Sequence, residues 1–262
     1  MKGVHAGNAA RAGTMAALLS SRGYFGSTTA IEGRYGLLNA TIREGHYDFK
    51  EFDRPWGARW AIHEPGVPLK PFPVCGGNQR ASTAAIHLRR LLKGPEEIDR
   101  IEISVTEAQR ESVHVDWPQR GFGGKFSHRY AVAAALLDGR VDIDSFSDES
   151  FARPEMQDML GRVHINVIKG GYENNGSEFR RRTNVKVTRR DGSTIDRTED
   201  WPLGSLRNPM PHAGVLEKYT ATSCRVLDQA QVDRTIALFE ALESTTVREM
   251  VSSVITTSGA AR

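Results

Sequence analysis

Lys2 and His5 stand three residues apart, a spacing that puts an amine and an imidazole one helical turn from each other. Lys70 follows in a proline-punctuated stretch, and loops between rigid elements are common carriers of function. Taken singly, each has a plainer reading. Lys2 can be a solvated charge, His5 a packing or capping residue, and Lys70 an exposed loop lysine. Cys75 reads as a half-buried small residue rather than a nucleophile, because no base adjoins it in the sequence. The eight histidines fall in no HxH, HxxxH or HExxH spacing, so no metal site is expected. With only Cys75 and Cys224 for thiols, neither a disulfide framework nor a three- or four-thiolate iron-sulfur cluster can be built from the chain. Gly121-Phe122-Gly123-Gly124 lacks the Lys-Ser/Thr ending of a phosphate loop and is read as a flexible lid loop.

Charge excludes further classes. The 35 basic and 32 acidic side chains leave a net +3, too little to steer 262 residues onto a polyanion. Arg180, Arg181 and Arg182 with Arg189 and Arg190 form the one basic concentration, which reads as the solvated edge of a hairpin rather than a nucleic-acid surface. Neither a signal peptide nor a membrane segment is legible, since Asn8, Arg11 and Thr14 interrupt the opening apolar run. A reduced, cytoplasmic setting is expected, with the Asn-x-Ser/Thr triplets at Asn39 and Asn175 read as chance matches.

These residues need elements to position them. Asn8 to Arg22 carries only two charges among small and apolar residues and ends at Gly23, which predicts a helix packed against others on several sides. Thr28 to Thr41 predicts one or two short helices, and Arg54 to Pro73, with Trp56 and Trp60, a connector. Ala and Leu at helical spacing predict a helix over Gln79 to Leu92, and alternation from Ile98 to Val105 a half-buried strand. Further helices are expected over Tyr130–Leu137 and Arg153–Leu160, then a strand over Val163–Ile168. Asn184–Thr188 and Thr194–Thr198 should form a hairpin about Asp191-Gly192. Asp228 and Gln231 form a capping-box pair that opens a helix through Leu242, and an apolar stripe from Val247 to Val254 closes the chain. The whole is α+β, helical ends around a mixed centre.

Four blocks occur in order along the chain: Lys2-Gly3-Val4-His5-Ala6-Gly7-Asn8-Ala9-Ala10-Arg11-Ala12-Gly13, then Glu32-Gly33-Arg34-Tyr35-Gly36, then Pro65 through Lys70-Pro71-Phe72-Pro73-Val74-Cys75, then Phe126-Ser127-His128-Arg129-Tyr130 through Gly139. Together they resemble the MmgE/PrpD family, which includes 2-methylcitrate dehydratase, cis-aconitate decarboxylase and an iminodisuccinate epimerase. The resemblance implies a residual all-helical domain with an inserted α+β lid: residues 1–60 as the remainder of the helical domain, 61–205 as the lid, and 206–262 as helices returning to the helical domain. It implies a small polycarboxylate substrate, no metal or organic cofactor, and, as partner, a second copy in a homodimer or the missing N-terminal half. Lys2 and Lys70 match lysines that line the family's site as carboxylate clamps or proton carriers, with His5 beside Lys2 and with Cys75 and Ser127 as substrate contacts. Cys75 takes a place held by histidine in some decarboxylase-like members, which tilts the expectation toward dehydration, and His128-Arg129 departs from the family's frequent Leu-Pro. Because the first block begins at residue 2, the chain is expected to have little lyase activity alone. An epimerase, and a non-catalytic assembly partner, are the alternatives.

Overall fold

A computed structural model describes residues 2–42, 47, 57, 60–168 and 182–255, with the backbone but not the side chains of Lys2 and Gly3. The stretch around Trp56, the sequon at Asn175 and Arg180 and Arg181 lie outside the described residues. The chain divides into two compact units, Met1–Glu64 and Pro65–Arg262.

The first unit is led by helix α1, Lys2–Ser21, followed by turns and the short α2, Leu37–Thr41. The helix predicted within Thr28–Thr41 is thus confined to its last turn. Residues 4–21 are exposed throughout, including Val4, Met15, Leu18 and Leu19. Among the described residues of this unit, none buries the helix on the several sides expected. No helix among the described residues is long and apolar enough to cross a membrane.

The second unit is built on a four-stranded mixed sheet in the order β2-β1-β3-β4. Its strands are β1 Ile98–Thr106, β2 Val163–Ile168, β3 Thr183–Arg189 and β4 Thr194–Glu199. β1 lies central because its alternation is sharp: Ile101, Ile103 and Val105 are fully buried while Arg100 faces solvent. It pairs in parallel with β2 and antiparallel with β3, and β3 turns into β4 through Asp191, whose carboxylate accepts from the Ser193 amide at 2.8 Å. Arg189 of this hairpin pairs with Glu97, and Arg182 with Asp200, so these members of the basic concentration are neutralised locally.

Helices α3, Gln79–Arg89, and α5, His128–Asp138, pack together in the core with the apolar residues of β1 and β3. Alanine at 81, 84, 85, 131, 133, 134 and 135 has no exposed surface, and such small side chains permit close helix contact. α3 stops at Arg89, three residues before the predicted Leu92, in a turn through Arg90. Between β1 and β2 run α4, Glu107–Ser112, and α5, then α6, Asp148–Ala152, and α7, Pro154–Gly161. α4 and α6 were not anticipated, although Thr106 and Gln109 form a complete capping box. Residues 121–126 form a 3-10 helix where a flexible loop is expected: a Cβ on Gly124 would stand 2.4 Å from the Tyr130 ring, so glycine is what permits the contact.

The chain closes with α8, His212–Ser223, α9, Gln229–Glu240, and α10, Val247–Val254. The capping box at Asp228 and Gln231 forms as expected, and α9 ends two residues before Leu242. α8 had no clear sequence signal. α9 and α10 pack on one another, yet Phe239, Leu242, Val247, Val251 and Val254 stay exposed.

Candidate active site

Lys70 sits on a loop whose carbonyls at Lys70, Phe72 and Val74 are claimed by other groups. Pro71 and Pro73 hold φ near the extended range and remove alternate amide donors, so the loop cannot pair as a strand and its carbonyls are left to side-chain donors. Gln79, buried at the start of α3, donates to the Phe72 carbonyl at 2.9 Å and the Val74 carbonyl at 3.3 Å, and its own oxygen accepts from the Phe72 amide. The Lys70 ammonium turns back to the Val74 carbonyl at 3.3 Å. Before Lys70, the Leu69 amide donates to Gly204, and after it the Lys70 carbonyl accepts from the Lys218 ammonium at 2.6 Å. Lys70 itself is exposed, a cation on a braced loop.

The loop continues into Cys75, which is partly exposed. Its amide donates to the Lys125 carbonyl, and its thiol contacts the Ser112 carbonyl at 3.5 Å, at the end of α4. One turn on, the Asn78 side chain donates to the Ser127 carbonyl at 3.0 Å, which ties the Cys75 turn to the start of α5. Ser127 is fully buried. Its hydroxyl accepts from the Tyr130 amide as the helix cap and donates to the Asp116 carbonyl at 3.1 Å. Lys70, Cys75 and Ser127 therefore belong to one connected network within the second unit. His5 is exposed on α1 in the first unit, where Lys2 contributes described backbone only.

Beneath the network lies a buried polar layer that sequence reading missed. His128 is fully buried, and among the described residues neither ring nitrogen finds a hydrogen-bond partner. Burial lowers its pKa to about 4, with Arg110 acting in the same direction and the nearby Gln109 backbone opposing both. His128 is thus neutral near pH 7. Arg129 is also buried. It donates to the Leu160 carbonyl at 2.9 Å and to the Val163 carbonyl, faces Asp116 at 3.5 Å and lies 4.0 Å over the Trp117 ring. Burial pulls its pKa below the ordinary value, and Asp116 resists that pull. Gln109 links the layer to the sheet through the Thr183 hydroxyl at 2.7 Å. No spacing in the sequence could have joined residues 78, 109, 128 and 183.

The arrangement can present a fixed cation to an anionic ligand over a rigid, partly polar floor, a combination suited to stabilising charge on a bound carboxylate. The fold and this site define a class. Residues 72–244 match the MmgE/PrpD C-terminal domain, and the chain belongs to the MmgE/PrpD family. It is 25% identical to cis-aconitate decarboxylase of Mus musculus and 26% identical to that of Homo sapiens, each alignment taking in 92% of this chain. It is 24% identical to the mitochondrial 2-methylcitrate dehydratase of Yarrowia lipolytica over 88% of this chain. The chain spans about half the length of these relatives, 49%, 50% and 46% respectively.

Proposed function

We propose that this chain carries part of the site of a cofactor-free lyase that dehydrates a small polycarboxylate of the 2-methylcitrate kind, in a cytoplasmic setting. The observation that carries the reading is Lys70, an exposed ammonium on a loop braced from both sides. In such a dehydration a base removes a proton from the carbon next to a carboxylate. The hydroxyl on the neighbouring carbon leaves as water after taking a proton, and an alkene remains. Charge gathers on the carboxylate as the C–H bond breaks, and a lysine fixed beside it lowers that barrier. Lys70 is assigned this clamp. By the family resemblance, Lys2 and His5 supply the second clamp and the proton carrier and Cys75 lines the substrate side, whereas Ser127, fully buried with its hydroxyl taken by the α5 cap and the Asp116 carbonyl, holds the start of α5 rather than touching substrate.

A decarboxylation is the second reading, favoured by the names of the two mammalian relatives. It needs the same cation but releases carbon dioxide instead of water. The partner proposed for this chain is the helical half that makes up the remaining length of its relatives. The support is the exposure of the apolar side chains of α1 and, separately, of α9 and α10, together with the half-length match.

The test is binding and turnover with one substitution. The chain, alone and mixed with a separately expressed N-terminal half, is titrated with propane-1,2,3-tricarboxylate and assayed on 2-methylcitrate and cis-aconitate for new alkene absorbance and for carbon dioxide. Tricarboxylate binding that Lys70→Met weakens about tenfold, with turnover dependent on the added half, is expected. Absence of any tricarboxylate binding in the mixture overturns the reading. Deuterium wash-in without loss of substrate would instead mark an epimerase.

A further inference from the structure

Lys218 has no motif around it and lies 148 positions from Lys70, yet its ammonium donates to the Lys70 carbonyl at 2.6 Å. Each half of the loop is held by a different element. The Phe72 and Val74 carbonyls are taken by Gln79, a buried side chain at the start of α3. The half that carries Lys70 is held from the other direction: the Leu69 amide by the Gly204 carbonyl, and the Lys70 carbonyl by Lys218 of α8. Gly204 belongs to a turn fixed by its own amide bond to the Asn208 carbonyl, so it offers a rigid acceptor. Lys218 is the matching donor. The two bonds hold the backbone on either side of the Lys70 Cα, while the Lys70 ammonium itself rests on the Val74 carbonyl at 3.3 Å.

We propose that Lys218 is a positioning residue for Lys70, acting through the Lys70 peptide to aim that ammonium at the carboxylate of a polycarboxylate ligand. The inference rests on the reading of Lys70 as the substrate clamp. The pairing is also chemically apt, because a hydrogen bond from a cation to a carbonyl is stronger than one between neutral groups, and because it brings a second positive charge to the loop that must receive an anion. Arginine keeps both the charge and the donors, whereas methionine keeps the stem and loses both.

The experiment uses the full chain with Lys218→Met and Lys218→Arg. Without ligand, hydrogen exchange across residues 69–75 reports the loop, with β1 as internal reference. Lys218→Met is expected to speed exchange in the loop about threefold to tenfold while leaving β1 unchanged, and Lys218→Arg to restore protection. With propane-1,2,3-tricarboxylate as probe, in the mixture with the N-terminal half, Lys218→Met is expected to weaken binding by a similar factor and Lys218→Arg to recover most of it. Unchanged exchange in the methionine variant overturns the clamp. Faster exchange with unchanged tricarboxylate affinity overturns the positioning role and leaves Lys218 a brace only. If the unaltered protein fails to bind the probe while the exchange result holds, it is the lyase reading that fails and not the contact.

Discussion

At Gly204 the backbone has φ +83°, and a Cβ there would stand 2.0 Å from the Leu69 carbonyl oxygen. A side chain is refused twice over, by the left-handed backbone and by the loop pressed against it. Gly204→Ala should therefore cost more than about 1 kcal/mol in urea unfolding and loosen the Lys70 loop with it. His128 supports a second prediction at this scale, and its sign follows from its depressed pKa. Above about pH 6.5 the imidazole is neutral in both folded and unfolded chains. As pH falls from there toward 4 the unfolded chain takes up a proton that the folded chain refuses, so stability drops, by on the order of 3 kcal/mol across that window. His128→Leu should flatten this part of the curve of unfolding free energy against pH. A slope unchanged by the substitution would show that other groups govern acid unfolding.

Among the elements, α5 joins the candidate site to the core. Ser127 caps it, and Arg153, just before α7, grips Asp138 at its other end through two bonds of 2.9 and 2.7 Å. Ser127→Ala removes the cap and one bond to Asp116, which should lower stability by about 1–2 kcal/mol in thermal or urea unfolding. Ser127→Thr should recover most of that loss. Asp138→Asn breaks the paired geometry of a partly exposed bridge, for which about 1 kcal/mol is expected. The helical periodicity of α3 and α5, the alternation of β1 and the Asp-Gly hairpin were legible because each is a local property of consecutive residues. The 3-10 helix at 121–126 has no such local signal, since its Gly124 answers to the Tyr130 ring, a neighbour found only after folding.

For the molecule as a whole, the decisive feature is apolar surface left in water. Met15, Leu18 and Leu19 on α1 are each more than 40% exposed, and in the other unit Val247 of α10 is 80% exposed. Residues of these types on ordered helices favour association over solvation. The chain alone should self-associate in sedimentation velocity runs, and a separately expressed N-terminal half should replace that self-association with a defined complex and raise the melting temperature. Replacing Met15 and Leu18 together with Lys should reduce the association. A monodisperse monomer, indifferent to the added half, would contradict the proposed partner.

Composition and motif order determined the family, the α+β class and the candidacy of Lys70, because these depend on residue type and on spacing along the chain. Tertiary structure alone decided that Gln79, Gly204 and Lys218 converge on the Lys70 loop, that Ser127 spends its hydroxyl on a helix cap, and that His128 is held neutral. The physical reason is range. Periodicity and capping act over a few residues, whereas a hydrogen bond between positions 70 and 218, or the desolvation of a single imidazole, depends on which distant surfaces the collapsed core brings together.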